Sequence, residues 1–387
     1  MQIHKVSDRK TEKMFLDTAR IIYKDDNTWV CPLDNDIKAV FDPEKNPYHK
    51  HGTVERWVMT DSNNRLSGRI AAFIDYYLAN SYDQATGGIG FFECINDKDA
   101  AATLFDTAKS WLTERGMEAM DGPVNFGETD KFWGLLVNGF THPSFDVPYN
   151  HSYYQELFES YGFRTYYKME GFHLDISKGI PERVFRIAER VIRQPGYSFR
   201  HFTWKEADKF INDFAEVFNE AWASFKQYFE PLSPEYIKAT LKKSKPILEE
   251  EFIWIAYFND KPIAIYLMFP DMNQILKHLN GKLDIISMLR FVWLRNRNTM
   301  TRAKGLLMGV IPKYQGHGIE SAFIINLLKV FEKKPHYTEI EFSWVADFNP
   351  KMRKIFISVG SVPAKEYITF RYLFDRNREF KRYPIPE

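Results

Sequence analysis

Cysteine is scarce. Cys31 and Cys94 are the only two in 387 residues. They lie far apart with no metal-ligand spacing near either, which argues against a disulfide scaffold or a zinc module and points to a reducing compartment. Neither sign of charge is in excess: 52 Lys and Arg face 51 Asp and Glu, for a formal net charge of +1. The overall balance therefore gives no hint of a nucleic-acid or membrane partner. No window reaches the roughly 18 apolar residues that a membrane span needs. The opening stretch, MQIHKVSDRKTEKMF, is charged and has no apolar signal core, so a cytoplasmic protein is expected. Core-forming residues are abundant, at 44% hydrophobic and 16% aromatic, which excludes disorder, and the length suits two domains.

The most informative stretch runs through residues 306–331. The apolar run 306–311 predicts a strand, a short turn holds Gly316 and Gly318, and the periodic stretch 321–331 predicts a helix. Strand, glycine turn and helix make an anion site, because free backbone N–H groups and the helix dipole converge on one spot. Glycine lets that backbone approach a phosphate with no Cβ in the way.

The chain also repeats itself. Residues 68–74 (GRIAAFI) parallel 261–267 (KPIAIYL), and 157–163 (LFESYGF) parallel 355–361 (IFISVGS), with Gly162 and Gly360 placed to end a helix. Between these landmarks each half reads strand, helix, strand: 89–95, 100–115 and a short strand near Met120, then 306–311, 321–333 and 338–345. The pattern is mixed α/β with helical crossovers, in two tandem modules. A helix over 182–193, stopped by Pro195 and Gly196, predicts the link between them. The expected division is 1–178, a linker helix at 179–195, and 196–387.

The 310–324 stretch resembles the acyl-CoA signature of the GNAT superfamily of N-acyltransferases, Gln/Arg-x-x-Gly-x-Gly/Ala, standing here as Gln315, Gly318 and Glu320. Most of the chain resembles a family of bacterial double-GNAT proteins. The resemblance implies two GNAT-like modules, each a mixed twisted sheet flanked by helices. It implies acetyl-CoA or another acyl-CoA as co-substrate, no metal, and a small-molecule or peptide amine as acceptor. Val310 and Ile311 would end the strand that pairs with pantetheine. Gln315, Gly316, His317, Gly318, Ile319, Glu320 and Ser321 would cradle the pyrophosphate, and Asn349 would lie near the pantetheine arm.

Two positions depart from that pattern. Glu320 stands where a small residue is usual. A carboxylate roughly 8 Å from a phosphate costs about 1 kcal/mol at intermediate dielectric, while its place in the first helical turn recovers about 0.3–1 kcal/mol, so the cradle is weakened, not abolished. Phe356 stands seven residues after Asn349, where the family often has a Tyr that protonates the leaving thiolate. Asp347 and Glu341, on or just after the strand facing the pantetheine, are the carboxylates available as base or water-orienter. Spacing does not choose between them.

The first half has no such cradle. Its corresponding turn, 93–100, carries Asp97 and Asp99 and no glycine, which reads as a helix cap. That half is expected to help form the acceptor pocket. The aromatic, Gly/Pro-rich excursion over 122–154 exceeds ordinary loop length and reads as functional. Residues 277–304 hold Lys277, Lys282, Arg290, Arg295, Arg297, Arg302 and Lys304 against Asp284 alone, around an apolar middle. A lid, a homodimer face, a membrane-surface helix or an acidic-substrate pocket are open, and a helix packed between the modules is favoured. No RNA-binding signature accompanies it, so nucleic acid is not indicated. The leading reading is an acyl-CoA-dependent N-acyltransferase, with acetyl the acyl group that the family resemblance implies. Its rivals are a non-catalytic acyl-CoA sensor and a Fem-type peptidyltransferase.

Overall fold

The computed structural model describes residues 1–81, 83–129, 131–223 and 231–384. The first half runs β1 (Gln2–Lys5), α1 (Arg9–Ile22), α2 (Asp34–Val40), β2 (Gly52–Thr60), β3 (Leu66–Asp75), β4 (Thr86–Cys94), α3 (Lys98–Thr113), β5 (Ala119–Gly122), β6 (Leu135–Asn138), α4 (Tyr154–Tyr161) and β7 (Arg164–Asp175). Helix α5 (Glu182–Arg193) leads into β8 (Tyr197–His201), α6 (Ala207–Trp222), α7 (Pro234–Ser244), β9 (Ile253–Phe258), β10 (Lys261–Pro270), α8 (Asn273–Leu276) and α9 (Ile285–Asn296). The chain closes with β11 (Arg302–Val310), α10 (Ile319–Lys333), β12 (Glu339–Ala346), α11 (Pro350–Ser358) and β13 (Val362–Leu373).

The repeated landmarks fall on equivalent elements: 68–74 lies in β3 and 261–267 in β10. Gly162 and Gly360 follow α4 and α11 at φ +109° and +93°, a backbone region that only glycine enters without strain.

The two halves do not form separate sheets. One 13-stranded sheet has the order β1-β2-β3-β4-β5-β13-β7-β12-β11-β10-β9-β8, with β6 paired to β13 off that path. The order is palindromic, and its centre is exchanged. The closing strand of the second half, β13, pairs antiparallel with β5 of the first, Phe370 opposite Gly122. The closing strand of the first, β7, pairs antiparallel with β12 of the second, Leu174 opposite Ile340. Ile368, Phe370 and Tyr372 of β13 complete the apolar core under α3 and α4. A fragment of residues 1–178 therefore lacks one neighbour of β5 and part of its core. It is expected to aggregate or unfold without cooperativity. A sharp thermal transition for that fragment would contradict the exchange.

Helix α5 is no free linker. Val184, Ala188 and Val191 are buried in the core that also holds Phe323 and Leu327 of α10. Helix α9 departs from the favoured expectation in the other direction. It has no buried residue, and Ile285 and Ile286 are each 79% exposed; Phe291 meets a cluster of Val30, Leu276 and Leu279 from both halves, so the helix lies over them with its outer face uncovered.

Candidate active site

In the second half β11 pairs parallel with β12 only from Arg302 to Gly305. Beyond Gly305 it keeps β10 alone, after a register slip between Leu267 and Met268. The two parallel strands thus part into a V. A single helical turn (Pro312–Tyr314) follows, then Gly316 and Gly318 at φ +76° and +87°, then α10. Gln315, Gly316 and His317 are exposed, and no side chain caps α10. The amides at this helix start are therefore free to meet an anion.

The turn is held from behind. Gln315 Nε2 donates to the Val310 carbonyl at 3.1 Å, and Tyr197 Oη lies 3.1 Å from His317 Nδ1. A Cβ at Gly318 would sit 2.4 Å from Ile187 of α5, whereas one at Gly316 would meet nothing within 4 Å. Gly318 is thus required by φ and by α5, Gly316 by φ alone. Val310, Ile311, Ile319 and Ser321 are buried, so Ile319 and Ser321 can offer an anion their amides and not their side chains. Burial lifts the Glu320 carboxyl above the usual range, opposed by its own backbone N–H and by His317.

Across the V, Asn349 caps α11, its Oδ1 accepting from Met352 N at 3.2 Å. Asp347 accepts from Arg382 on one oxygen, and its Oδ1 is buried with no hydrogen-bond partner among the described residues. Both lie past the end of β12, at the open end of the V.

Glu341 sits at the closed end and is not available. Its Oε1 accepts from Ser144 Oγ at 3.0 Å and from Lys365 Nζ at 3.0 Å. Its Oε2 lies 2.9 Å from Lys365 Nζ and 3.2 Å from Arg302 Nη1. Burial raises its pKa, but Lys365 and Arg302 outweigh this and hold it below the usual carboxylate range. A base needs a spare lone pair aimed at substrate; Glu341 has none, and its part is to tie strands together. Phe356 is likewise displaced from the expected role. It is 7% exposed, stacked 4.5 Å from Phe342 and tilted at 5.4 Å from Phe172, in the core behind the closed end of the V, where Phe342 pairs with Gly305.

The first half also has parted parallel strands: β4 pairs with β5 only over Thr86–Gly88. Here, however, Asp97 caps α3, accepting from Ala100 N at 2.8 Å, so no open amide turn results. A cavity of about 130 Å³ lies beside this V, walled by Phe91, Phe132, Phe145, Tyr149 and Leu276 among others. Lining it are the buried Arg69, Tyr154 and Tyr23 and the partly buried Glu93. Tyr154 Oη donates to Glu93 Oε2 at 2.7 Å, and Arg69 Nη2 reaches Glu93 Oε1 at 3.3 Å. Burial pushes the Glu93 carboxyl up despite Arg69. No spacing or motif marks this cluster in the sequence, because its members are scattered between positions 23 and 154.

Strand directions separate the two sites. β4 and β11 run oppositely through the sheet, so the cavity lies toward the start of β11 and the glycine turn lies past its end. β11 has 9 residues, about 25–30 Å of strand. The cavity therefore lies away from the glycine turn, toward the other end of β11. No group of His, Cys, Asp and Glu fit to hold a metal occurs among the described residues.

No family model matches the sequence. Protein YghO of Escherichia coli (strain K12) is 24% identical over 364 residues, covering 92% of this chain and 91% of that protein. A bacterial ceramide synthase of Caulobacter vibrioides (strain NA1000 / CB15N) is 26% identical over 357 residues, covering 90% of this chain and 91% of that one. A tandem GNAT protein from the clavulanic acid biosynthesis pathway has a TM-score of 0.56 at 11% identity, covering 97% of this chain and 99% of that one. The fold of this chain is that of the tandem GNAT proteins.

Proposed function

We propose that this chain, with its tandem GNAT fold, is an acyltransferase that moves an acyl group from acyl-CoA to an amine. The observation that carries the reading is the uncapped amide turn at Gly316–Gly318, set at the mouth of the parted β11–β12 pair. The pyrophosphate would rest on the amides of the turn and of the first turn of α10. The pantetheine arm would lie along the unpaired edge of β11, in the opening of the V. The amine nitrogen attacks the thioester carbonyl, a C–N bond forms, the C–S bond breaks, and the thiolate leaves with the proton the amine gives up. Of the two carboxylates named from sequence, Asp347 is the one left as base, because its Oδ1 is unengaged and Glu341 is saturated. The likeness to a protein named a ceramide synthase supports a long-chain amino alcohol as acceptor, since a ceramide is the fatty amide of one.

The test is thiol release from acyl-CoA with a chromogenic thiol reagent and a panel of long-chain amines. The protein's own thiols do not interfere. Burial pushes Cys31 to about 11 and Cys94 to about 12, and only the thiolate reacts. Native protein should yield almost no reactive thiol and denatured protein both; fast labelling of the native chain would contradict their burial. Asp347→Asn should slow acyl transfer by about 10²–10⁴-fold while leaving CoA binding intact. An unchanged rate would remove Asp347 from the mechanism. Thiol release absent with every amine, with CoA still bound, would turn the reading to a sensor.

Phe356→Tyr gives a sign opposite to the family habit. The new hydroxyl enters the apolar cluster of Phe342 and Phe172, costing about 1–3 kcal/mol if unpaired. Chemical denaturation should show the loss, and acyl transfer should not accelerate.

A further inference from the structure

We propose that α9 is an in-plane helix that seats the protein on an anionic membrane surface. The helix turns its apolar face outward. At about 100° per residue, Ile285, Ile286, Met288, Leu289, Val292 and Trp293 share one arc of about 160°. All are between 52% and 79% exposed. Ser287, Phe291 and Leu294 take the opposite side and are only partly exposed. A soluble helix shows the reverse pattern, because exposed apolar area is unfavourable in water.

The basic residues identify what covers that face. Arg290 and Arg295 fall at the two edges of the apolar arc, and Lys282 and Arg297 flank the helix ends. The guanidinium of Arg297 lies 4.3 Å from the centre of the Trp293 ring, placing a cation and an indole together as at a lipid–water boundary. Asp284, the one acid in 277–304, is occupied as the helix cap, accepting from Ser287 N at 2.8 Å. A second copy docked face to face would set these basic edges against each other, with no acid to pair them. Anionic headgroups would pair them instead. With 12 residues, about 18 Å long, α9 is too short to cross a bilayer and of a length to lie in its interface.

The seat also bears on the cavity. Phe291, on the inner side of α9, packs with Val30 and Leu276, and both of these wall the cavity that ends at Glu93. A bilayer under α9 would thus lie next to an apolar chamber with a polar inner end, an arrangement suited to an amphipathic lipid with one long chain.

The experiment is co-sedimentation of the full chain with vesicles, without acyl-CoA, so its outcome is independent of the acyltransferase reading. Vesicles of phosphatidylcholine with phosphatidylglycerol are compared with phosphatidylcholine alone, at low and high salt. Wild type should bind the anionic vesicles, and salt should weaken the binding. The double variant Ile286→Glu with Leu289→Glu should bind at least about tenfold more weakly, with its circular dichroism unchanged because both positions face solvent. Wild type failing to bind, or a double variant binding as well as wild type, would overturn the proposal. A concentration-dependent dimer dissolved by the same variant, with no vesicle binding, would assign the face to a second copy and overturn it as well.

Discussion

Lys365→Met should destabilise the folded protein by about 3–5 kcal/mol, the cost of breaking a buried ion pair by deleting one partner. Lys365 on β13 and Glu341 on β12 have side chains 3% and 6% exposed. Arg302 on β11 joins them at 3.2 Å and is itself held by Asp271, with Nε at 2.8 Å and Nη2 at 2.6 Å from Asp271 Oδ2. The same cluster clamps the first-half excursion. Ser144 bonds Glu341, the Phe145 amide donates to Asp271 at 2.8 Å, and Asn273 Nδ2 donates to the Pro143 carbonyl at 3.1 Å. Losing Lys365 therefore leaves a carboxylate short of charge compensation at the junction of both halves. Replacing both partners, Glu341→Leu with Lys365→Met, should recover part of the loss, because no unpaired carboxylate is left, while Ser144 and Arg302 each lose one contact.

The pH dependence follows from the direction of the Glu341 shift. Its folded pKa is depressed, so its contribution is present above the unfolded carboxylate range and is lost as pH falls through the folded value. Urea midpoints of wild type against Lys365→Met should differ most at neutral pH and converge toward acid. A loss under about 1 kcal/mol at pH 7 would show that the network is not closed.

How much of this was legible in the sequence depends on the range over which each feature is encoded. The 316–318 turn, the glycines after α4 and α11, and helix α5 are written in neighbouring residues, and the expected spans lie within a few residues of the observed ones. The exchange of β7 and β13 is not so written. The exchanged pairings join residues far apart in the chain, Leu174 with Ile340 and Gly122 with Phe370, and an apolar alternating strand looks the same beside either neighbour. Glu341 shows the same limit. A Glu in a strand reads as a solvated acid until Lys365, Arg302 and Ser144 are found around it. Helix α9 departs from expectation for a related reason: an apolar helix ordinarily has a partner on each apolar side, and α9 has its outer face exposed.

The second large effect concerns the glycine turn. His317→Glu sets a carboxylate on the turn whose amides would hold the CoA pyrophosphate, and it removes the Tyr197–His317 contact that braces that turn. The position is exposed, and its φ is not in the left-handed region occupied by Gly316 and Gly318, so the substitution spares the core. Gly318→Glu would be a poorer probe, because it collides with Ile187 of α5. Two lost charge-assisted contacts are worth about 3–6 kcal/mol, a weakening of roughly a hundredfold or more. Repulsion between the new carboxylate and the phosphates adds to it.

Calorimetric titration with acetyl-CoA tests the central claim, that the second half holds the acyl donor at this turn. The expected result is one site per chain in wild type and an affinity at least about a hundredfold lower in His317→Glu. No binding by wild type, or equal affinity in the two proteins, would contradict it.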